Sequence, residues 1–327
     1  MNTSENINGI LIALNTITGL VIFVFGVSNM SGGLKEIGSE RMKQILAKTT
    51  NNIFAAILVG ITITALLQSS SATIIMVIAM VNAQLLTSRQ SFGIILGSNI
   101  GTTIGSQIIA FDVGEYSAVP LVIGLVIFLA FKSEKTKQVG KSILGIGLIF
   151  FGLQYIGQSA EPLKDLPSFT TLMTRIENPY WGAVVGAVTT LIIQASSATI
   201  GITLSLANQG LITLPGAIAV MLGTEIGTCS DTLLASIGRS REAIRAGVFH
   251  LFFNVVSVIL GLVLINPFVK LVVIISDDAS LARQIANGHA MFNVFGILLF
   301  VGFVPVISKM LSRIIPDKAE NKKQHLQ

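Results

Sequence analysis

LLQSSSATII, residues 66–75, stands within a long apolar run, and IIQASSATIG repeats its pattern at residues 192–201. Five polar side chains, Gln68, Ser69, Ser70, Ser71 and Thr73, crowd the first stretch. Polar groups surrounded by sequence this apolar are costly unless a partner, a cavity or a ligand satisfies them. The second copy makes chance a poor account. Residues 60–103 align with 186–229 at a constant offset of 126 without a gap, and 16 of the 44 positions are identical. The matches include Gly60/Gly186, Thr64/Thr190, Gln68/Gln194, Ser70/Ser196, Ser71/Ser197 and Thr73/Thr199. A second motif keeps the same spacing: LGSNIGTT (96–103) lies over LGTEIGTC (222–229). Upstream the offset pairs Gly19 with Gly145 and Phe25-Gly26 with Phe151-Gly152. Self-similarity of this extent is a duplication of about 100 residues.

Composition sets the solvent. Of 327 residues 52% are hydrophobic and 11% charged, against roughly 25% charged in soluble domains. Apolar runs of membrane length recur along the chain, and 31 glycines suit close helix packing in lipid. The chain is read as an all-α polytopic membrane protein. Its single cysteine, Cys229, excludes an intrachain disulfide. The first residues, MNTSEN, carry no Lys or Arg, and the apolar run behind them is long enough to span, so no cleaved signal is expected. The net charge of +5 is assigned to basic loops at the inner membrane face, not to nucleic-acid binding.

Apolar runs and punctuation divide the chain. Repeat one covers 1–130: a span at 7–27, a loop at 28–52, a hairpin at 53–86, a Gly-interrupted span at 92–110 and a span at 118–131. Repeat two covers 142–240: a span at 142–157, a polar loop at 158–179, a hairpin at 180–213 and a second interrupted span at 216–237. Two scaffold helices at 245–310 and a cytoplasmic tail at 311–327 follow. The hairpin arms, near 15 residues or roughly 22 Å of helix, fall short of a bilayer core of roughly 30 Å. Each pair is therefore read as a re-entrant hairpin. With the N-terminus outside and the C-terminus cytoplasmic, 17 of the 21 Lys and Arg residues fall inside, in keeping with the positive-inside rule. In that topology the two copies are upside down relative to each other, the pattern of inverted repeats in secondary transporters of the cell membrane.

The polar turns carry the chemistry. A second arm starting near Ala72, capped by Ser70 or Ser71, would aim free N–H groups and a positive dipole end at the membrane midplane. Such a start binds anions. Serine hydroxyls, freed carbonyls at the turns and oxygens at the glycine breaks are hard ligands for Na⁺. No Lys or Arg falls in the hairpin arms or the interrupted spans. An anion there needs dipoles, hydroxyls and a co-bound cation, which is a reason for coupling the two.

QSSSAT followed by GSNIGTT, and QASSAT followed by GTEIGTC, resemble the type II sodium-dependent phosphate cotransporters and their bacterial relatives, over roughly residues 10–300. The resemblance implies Na⁺-coupled transport of inorganic phosphate by alternating access, with no cofactor beyond the coupling ion. It implies that Gln68, Ser69, Ser70, Ser71, Thr73, Gln194, Ser196, Ser197 and Thr199 line the phosphate and Na⁺ sites. Asn99, Thr102, Thr103, Glu225 and Thr228 join from the interrupted spans, and Na⁺ is expected around Gln68–Ser71, Gln194–Ser197, Asn99 and Glu225. A homodimer through the scaffold helices is a further expectation. Many bacterial relatives carry a soluble regulatory domain after the membrane part, and none follows within these 327 residues.

Three departures stand out: Ala195 replaces Ser69, Glu225 replaces Asn99 and Cys229 replaces Thr103 in the second copy. Glu225 is an intramembrane carboxylate, a functional candidate by default, which either holds Na⁺ or carries a proton. Asp231, nearer the inner end, is read as pairing or snorkelling. His250-Leu-Phe-Phe-Asn254 and His289-Ala-Met-Phe-Asn293 share H-x-x-F-N, with each His and Asn on one helix face. Helix-to-helix hydrogen bonding or a proton relay are their two readings. The rival functions are a proton- or sodium-coupled transporter of another oxyanion or carboxylate, and an ion channel. An intramembrane enzyme is disfavoured because no metal-ligand cluster or nucleophile–base pair is visible in the spans.

Overall fold

The computed structural model describes residues 3–48, 52–111 and 116–317, and there it contains helices and their connections. The chain starts with α1 (Thr3–Lys48), then a hairpin of α2 (Ile53–Leu67) and α3 (Ser70–Asn82). α4 (Ser88–Ile109), α5 (Ala118–Ala130) and α6 (Glu134–Ala160) follow. A 3-10 turn at Glu161–Asp165 and α7 (Pro167–Ile176) lead to a second hairpin, α8 (Pro179–Ile193) and α9 (Ser196–Asn208). The remainder is α10 (Leu214–Gly227), α11 (Cys229–Ser236), α12 (Arg241–Val263), α13 (Ile265–Ser276), α14 (Leu281–Val301) and α15 (Val304–Ile314). Six stretches are long and apolar enough to cross a membrane: Gly9–Ile37, Ser88–Ile109, Glu134–Lys164, Leu214–Ser236, Arg241–Val263 and Leu281–Val301. The protein is an all-helical, multi-pass membrane protein. The hairpin arms are shorter, 15 and 13 residues in each copy.

Local sequence explains where the helices begin. Asn52 and Asn178 cap α2 and α8, accepting from Phe54 N and Tyr180 N at 2.9 and 3.1 Å. Thr87 and Gln90 form a capping box at the start of α4. Prolines 167, 179, 215 and 305 sit in the first turns of α7, α8, α10 and α15, where a missing N–H costs nothing.

Glycines set the packing. A side chain at Gly60 would overlap the carbonyl of Ile94, and one at Gly97 the carbonyl of Ile57. The second copy repeats both contacts: Gly186 against Val220, Gly223 against Ala183. α2 thus lies parallel to α4, and α8 parallel to α10, backbone against backbone. This corrects the expectation of a break within 92–110, because α4 runs unbroken through Gly97, Gly101 and Gly105. Glycine there costs about 1 kcal/mol of helix propensity but leaves the hydrogen-bond ladder intact, and its role is close approach. In the second copy the helix is interrupted at one residue, Thr228, between α10 and α11, and Thr228 itself keeps φ −66°, ψ −17° with its N–H bonded to the Thr224 carbonyl.

Other boundaries also move. The loop expected at 28–52 is helical as far as Lys48, since the basic residues there end the apolar run without ending the helix. The polar loop at 158–179 contains α7, whose apolar residues collect on one face. The two scaffold helices expected over 245–310 are four, α12 to α15, with turns at Leu264, Asp277–Ser280 and Gly302–Phe303. α5, at 13 residues, is shorter than a full span. Of the expected tail, α15 takes residues through Ile314, and residues beyond Asp317 lie outside the described ones.

α1 and α6 cross antiparallel through glycines: Gly19 meets Gly152 and Ile156, while Gly26 meets Gly145 and Ile149. One apolar core gathers α3, α4, α12 and α15, with Phe92 stacked on Phe249 at 4.1 Å between centroids. The other gathers α9, α10, α13 and α14. Large apolar side chains face outward along α1 and α5, where only Gly124 of α5 is buried.

Candidate functional site

Each hairpin turns on a glutamine in the left-handed region. Gln68 has φ 51°, ψ 29°, and Gln194 has φ 57°, ψ 28°. A non-glycine residue held there is strained and needs its surroundings to impose it. The Gln68 amide donates to the Ala65 carbonyl and Ser31 of α1 donates to the Leu67 carbonyl, so groups freed at the end of α2 are satisfied. The next residue is extended, Ser69 at φ −154° and Ala195 at φ −148°. Ser69 caps α3, its Oγ accepting from Ala72 N at 3.1 Å. The cap is therefore Ser69, not Ser70 or Ser71, and the helix starts two residues earlier than expected. Ala195 leaves α9 with no side-chain cap.

Behind each turn the arms are tied by threonines. Thr64 donates to Thr73 at 2.9 Å, and Thr190 to Thr199 at 2.9 Å.

The two turns wall one cavity of about 210 Å³, room for roughly seven waters. Gln68, Ser69, Ser70 and Ser71 line it on one side, and Gln194, Ala195, Ser196 and Ser197 on the other. Thr102, Gly105 and Ser106 of α4 and Ser28 and Ser31 of α1 complete its polar wall. The first N–H groups of α3 and α9, on Ser70, Ser71, Ser196 and Ser197, have no intrahelical acceptor. Among the described residues no Lys or Arg lines the cavity. Its positive potential comes from two helix starts, and its other polar atoms are hydroxyl, amide and carbonyl oxygens. Such a set suits an anion and a hard cation together.

The remaining expected site residues stand outside that wall. Thr73 and Thr199 are buried behind the turns. Asn99, 2% exposed, turns its amide N–H to the Ile95 carbonyl at 2.9 Å. Thr103 donates to Ile100 O at 2.7 Å, and Thr228 donates to Glu225 O at 2.9 Å. One carboxylate oxygen of Glu225 is engaged. Its Oε1 lies 2.9 Å from His289 Nε2 and accepts from Asn293 Nδ2 at 2.9 Å, both partners coming from α14.

Sequence reasoning missed Ser106 and what stands behind it. Ser106 Oγ lies 2.7 Å from His289 Nδ1, so hydroxyl, imidazole and carboxylate form one chain from the cavity wall to Glu225. The signal was present: Ser106 sits 126 residues before Thr232, another hydroxyl, and Thr232 Oγ1 lies 2.8 Å from Nδ1 of the other histidine, His250. The doubled H-x-x-F-N motif thus serves helix-to-helix bonding in both places.

Comparison with known proteins completes the picture. The model of a family described as Na⁺/Pi-cotransporter matches residues 22–158 and 166–303. YqeW of Bacillus subtilis (strain 168), whose name assigns no function, is 33% identical over 94% of this chain and 100% of its own length. YjbB of Salmonella typhimurium, named provisionally as an inorganic phosphate export protein, is 26% identical over 95% of this chain, which spans 57% of YjbB. Human sodium-dependent phosphate transport protein 2B is 34% identical over 101 residues, 30% of this chain and 15% of that protein. No solved structure matches.

Proposed function

The chain belongs to the Na⁺/Pi-cotransporter family, and from that premise we propose that it is a secondary active transporter carrying inorganic phosphate and Na⁺ together by alternating access. One observation carries the reading: both serine-rich turns, 126 residues apart in sequence, wall a single cavity that among the described residues contains no basic side chain. Phosphate would be held by the N–H groups and hydroxyls of Ser70, Ser71, Ser196 and Ser197. Na⁺ would be held by the oxygens around Gln68–Ser71, Gln194–Ser197 and Thr102, and would offset the charge that no Lys or Arg offsets. Glu225, whose Oε1 is bonded by His289 and Asn293, and Asn99 stand outside the cavity wall, so neither is in this cation set.

The antiparallel glycine crossing supports the inverted-repeat reading. Gly19 and Gly145 are equivalent positions, as are Gly26 and Gly152, and the contacts pair Gly19 with Gly152 and Gly26 with Gly145. An exchange of this kind between antiparallel helices is what a two-fold axis across their length produces. Such an axis in the membrane plane relates inverted repeats. The skew of Lys and Arg favours an external N-terminus in the cell membrane.

The test is uptake of radiolabelled phosphate into proteoliposomes under an inward Na⁺ gradient. Gln68→Ala and Gln194→Ala should each abolish it while the protein stays monodisperse. Wild-type uptake in both variants would overturn the site. A second reading concerns direction, because the relatives named for phosphate export match 95% of this chain. Efflux from phosphate-loaded vesicles, driven by Na⁺ or by a pH gradient in its place, separates import from export and Na⁺ from H⁺.

A further inference from the structure

We propose that the small polar chamber between α4, α6 and α9 is the second half of the transport path, shut in this conformer, and that Ile109 is the side chain dividing it from the central cavity. The proposal rests on the alternating access and the inverted repeats proposed above. The chamber has a volume of about 150 Å³, room for roughly five waters. Gln154 of α6 and Ser205, Asn208 and Gln209 of α9 give it a neutral polar wall. Among the described residues no Lys, Arg, Asp or Glu lines it, so neither a hydrated phosphate nor a hydrated Na⁺ meets a like charge there. Ile109, at the end of α4 and 6% exposed, lines both the chamber and the cavity. On α6, Ile149 in the cavity wall and Phe150 in the chamber wall continue the same apolar partition.

The duplication relates the two spaces. The α6 residues of the chamber, Phe150, Leu153 and Gln154, are the equivalents of Val24, Val27 and Ser28 of α1 at the offset of 126. All three of those line the central cavity. A two-fold axis that exchanges α1 with α6 therefore carries the α1 side of the cavity onto the chamber. The two are unequally open. Val24 is 40% exposed and Phe150 6%, while Ser28 is exposed and Gln154 half-buried. One mouth stands open along α1, and its counterpart along α6 is shut. α1 runs on from the cavity towards Lys35, so in the topology that the Lys and Arg skew favours the open mouth is the inner one and the chamber the outer one.

The closure has a local cause. α6 lies against α9. Ser205 Oγ donates to the Leu153 carbonyl at 2.8 Å, and a side chain at Gly157 would press on Gln209 and Ser205. At the equivalent positions the first copy has Ala79 for Ser205, Ala83 for Gln209 and Ser31 for Gly157. Ala79 has no hydroxyl to offer the Val27 carbonyl, and Ser31 donates instead to the Leu67 carbonyl at the end of α2. α1 accordingly packs on α2, and among the described residues it makes no extended contact with α3. The partition is lopsided too, because the equivalent of Ile109 is Ala235. The extra bond and the larger side chain both favour the conformer shut at the chamber over its mirror.

The experiment is the sidedness of thiol labelling in the full chain, in sealed membrane vesicles of both orientations, with a charged, impermeant methanethiosulfonate. Ser28→Cys and Gln154→Cys are equivalent positions, and wild type, whose Cys229 is buried, supplies the background. The two thiols should react from opposite faces of the membrane. Ser205→Ala, which removes the bond to Leu153, should speed labelling of Gln154→Cys about fivefold, the population shift that one net hydrogen bond gives. Ile109→Ala should let reagent from the Gln154 face reach Ser28→Cys, which the intact partition blocks. Labelled Gln154→Cys should lose phosphate uptake, because the adduct fills the chamber. Reaction of both thiols from the same face overturns the proposal. So does a Gln154→Cys that stays unlabelled in the Ser205→Ala background, or one that transports at full rate once labelled. If Ile109→Ala is not monodisperse, the other measurements decide by themselves. Opposite-face labelling in a wild type that takes up no phosphate overturns the phosphate reading and upholds this path. Phosphate uptake with same-face labelling overturns this inference alone.

Discussion

Thr64 donates its hydroxyl to Thr73 at 2.9 Å, joining the two arms of the first hairpin behind its tip. Thr73 passes its own proton to the Ser69 carbonyl at 3.0 Å, so the bonds run in one direction into the turn. Both threonines are fully buried.

That direction makes the two ends of the bond unequal. Thr73→Val strands the Thr64 hydroxyl in the core and should cost about 2 kcal/mol, whereas Thr64→Val leaves the Thr73 bond standing and should cost about 1 kcal/mol or less. Thermal or denaturant unfolding in detergent measures both. Equal losses would contradict the assigned direction.

Backbone contact at Gly97 leaves no room for a methyl group. Gly97→Ala and Gly223→Ala should each destroy the folded, monodisperse protein or lower its melting temperature by many degrees, because the obstacle in each is a carbonyl that cannot swing aside. Gly302→Ala is the control: nothing lies within 4 Å and φ is −68°. Size-exclusion profiles of the three variants check this.

Strain at the turns opposes stability to function. Gln68→Gly should stabilise the protein by up to about 1 kcal/mol by relieving the left-handed backbone, offset by the lost bond to Ala65, while phosphate transport falls steeply. A variant that transports like the wild type would show that the glutamine is needed only for the turn.

The missing hydroxyl of the second turn can be restored. Ala195→Ser should cap α9 as Ser69 caps α3 and add about 1 kcal/mol. Ser69→Ala should lose a similar amount. Melting temperatures that move in the same direction in the two variants would rule out the capping account.

Much of this was legible from residues 60–103 laid over 186–229, because duplication marks the polar turns independently of any propensity. The membrane environment was legible from composition, which reports solvent directly. The continuity of α4 was not. Gly97, Gly101 and Gly105 read as breaks because propensity treats glycine as a loss, while their value lies in a neighbour that sequence does not show. The extent of α1 was hidden for a similar reason: Lys35 and the basic residues after it mark the end of an apolar environment, not of a helix. The Ser106–His289–Glu225 chain escaped because its members lie far apart and were weighed singly. Glu225 and His289 were each noticed, but only packing of α14 against α4 and α10 brings them together.

Where two helices touch backbone to backbone, no side chain stands between them to rotate or compress. The first hairpin and α4 must therefore travel as one piece, and α8 with α10 as another. Compliance is left to the seams between these pieces and to the helices that hold them. In the alternating access proposed above, the glutamine tips would ride through each turnover preassembled, so little chain entropy would be spent in rebuilding the ligand shell.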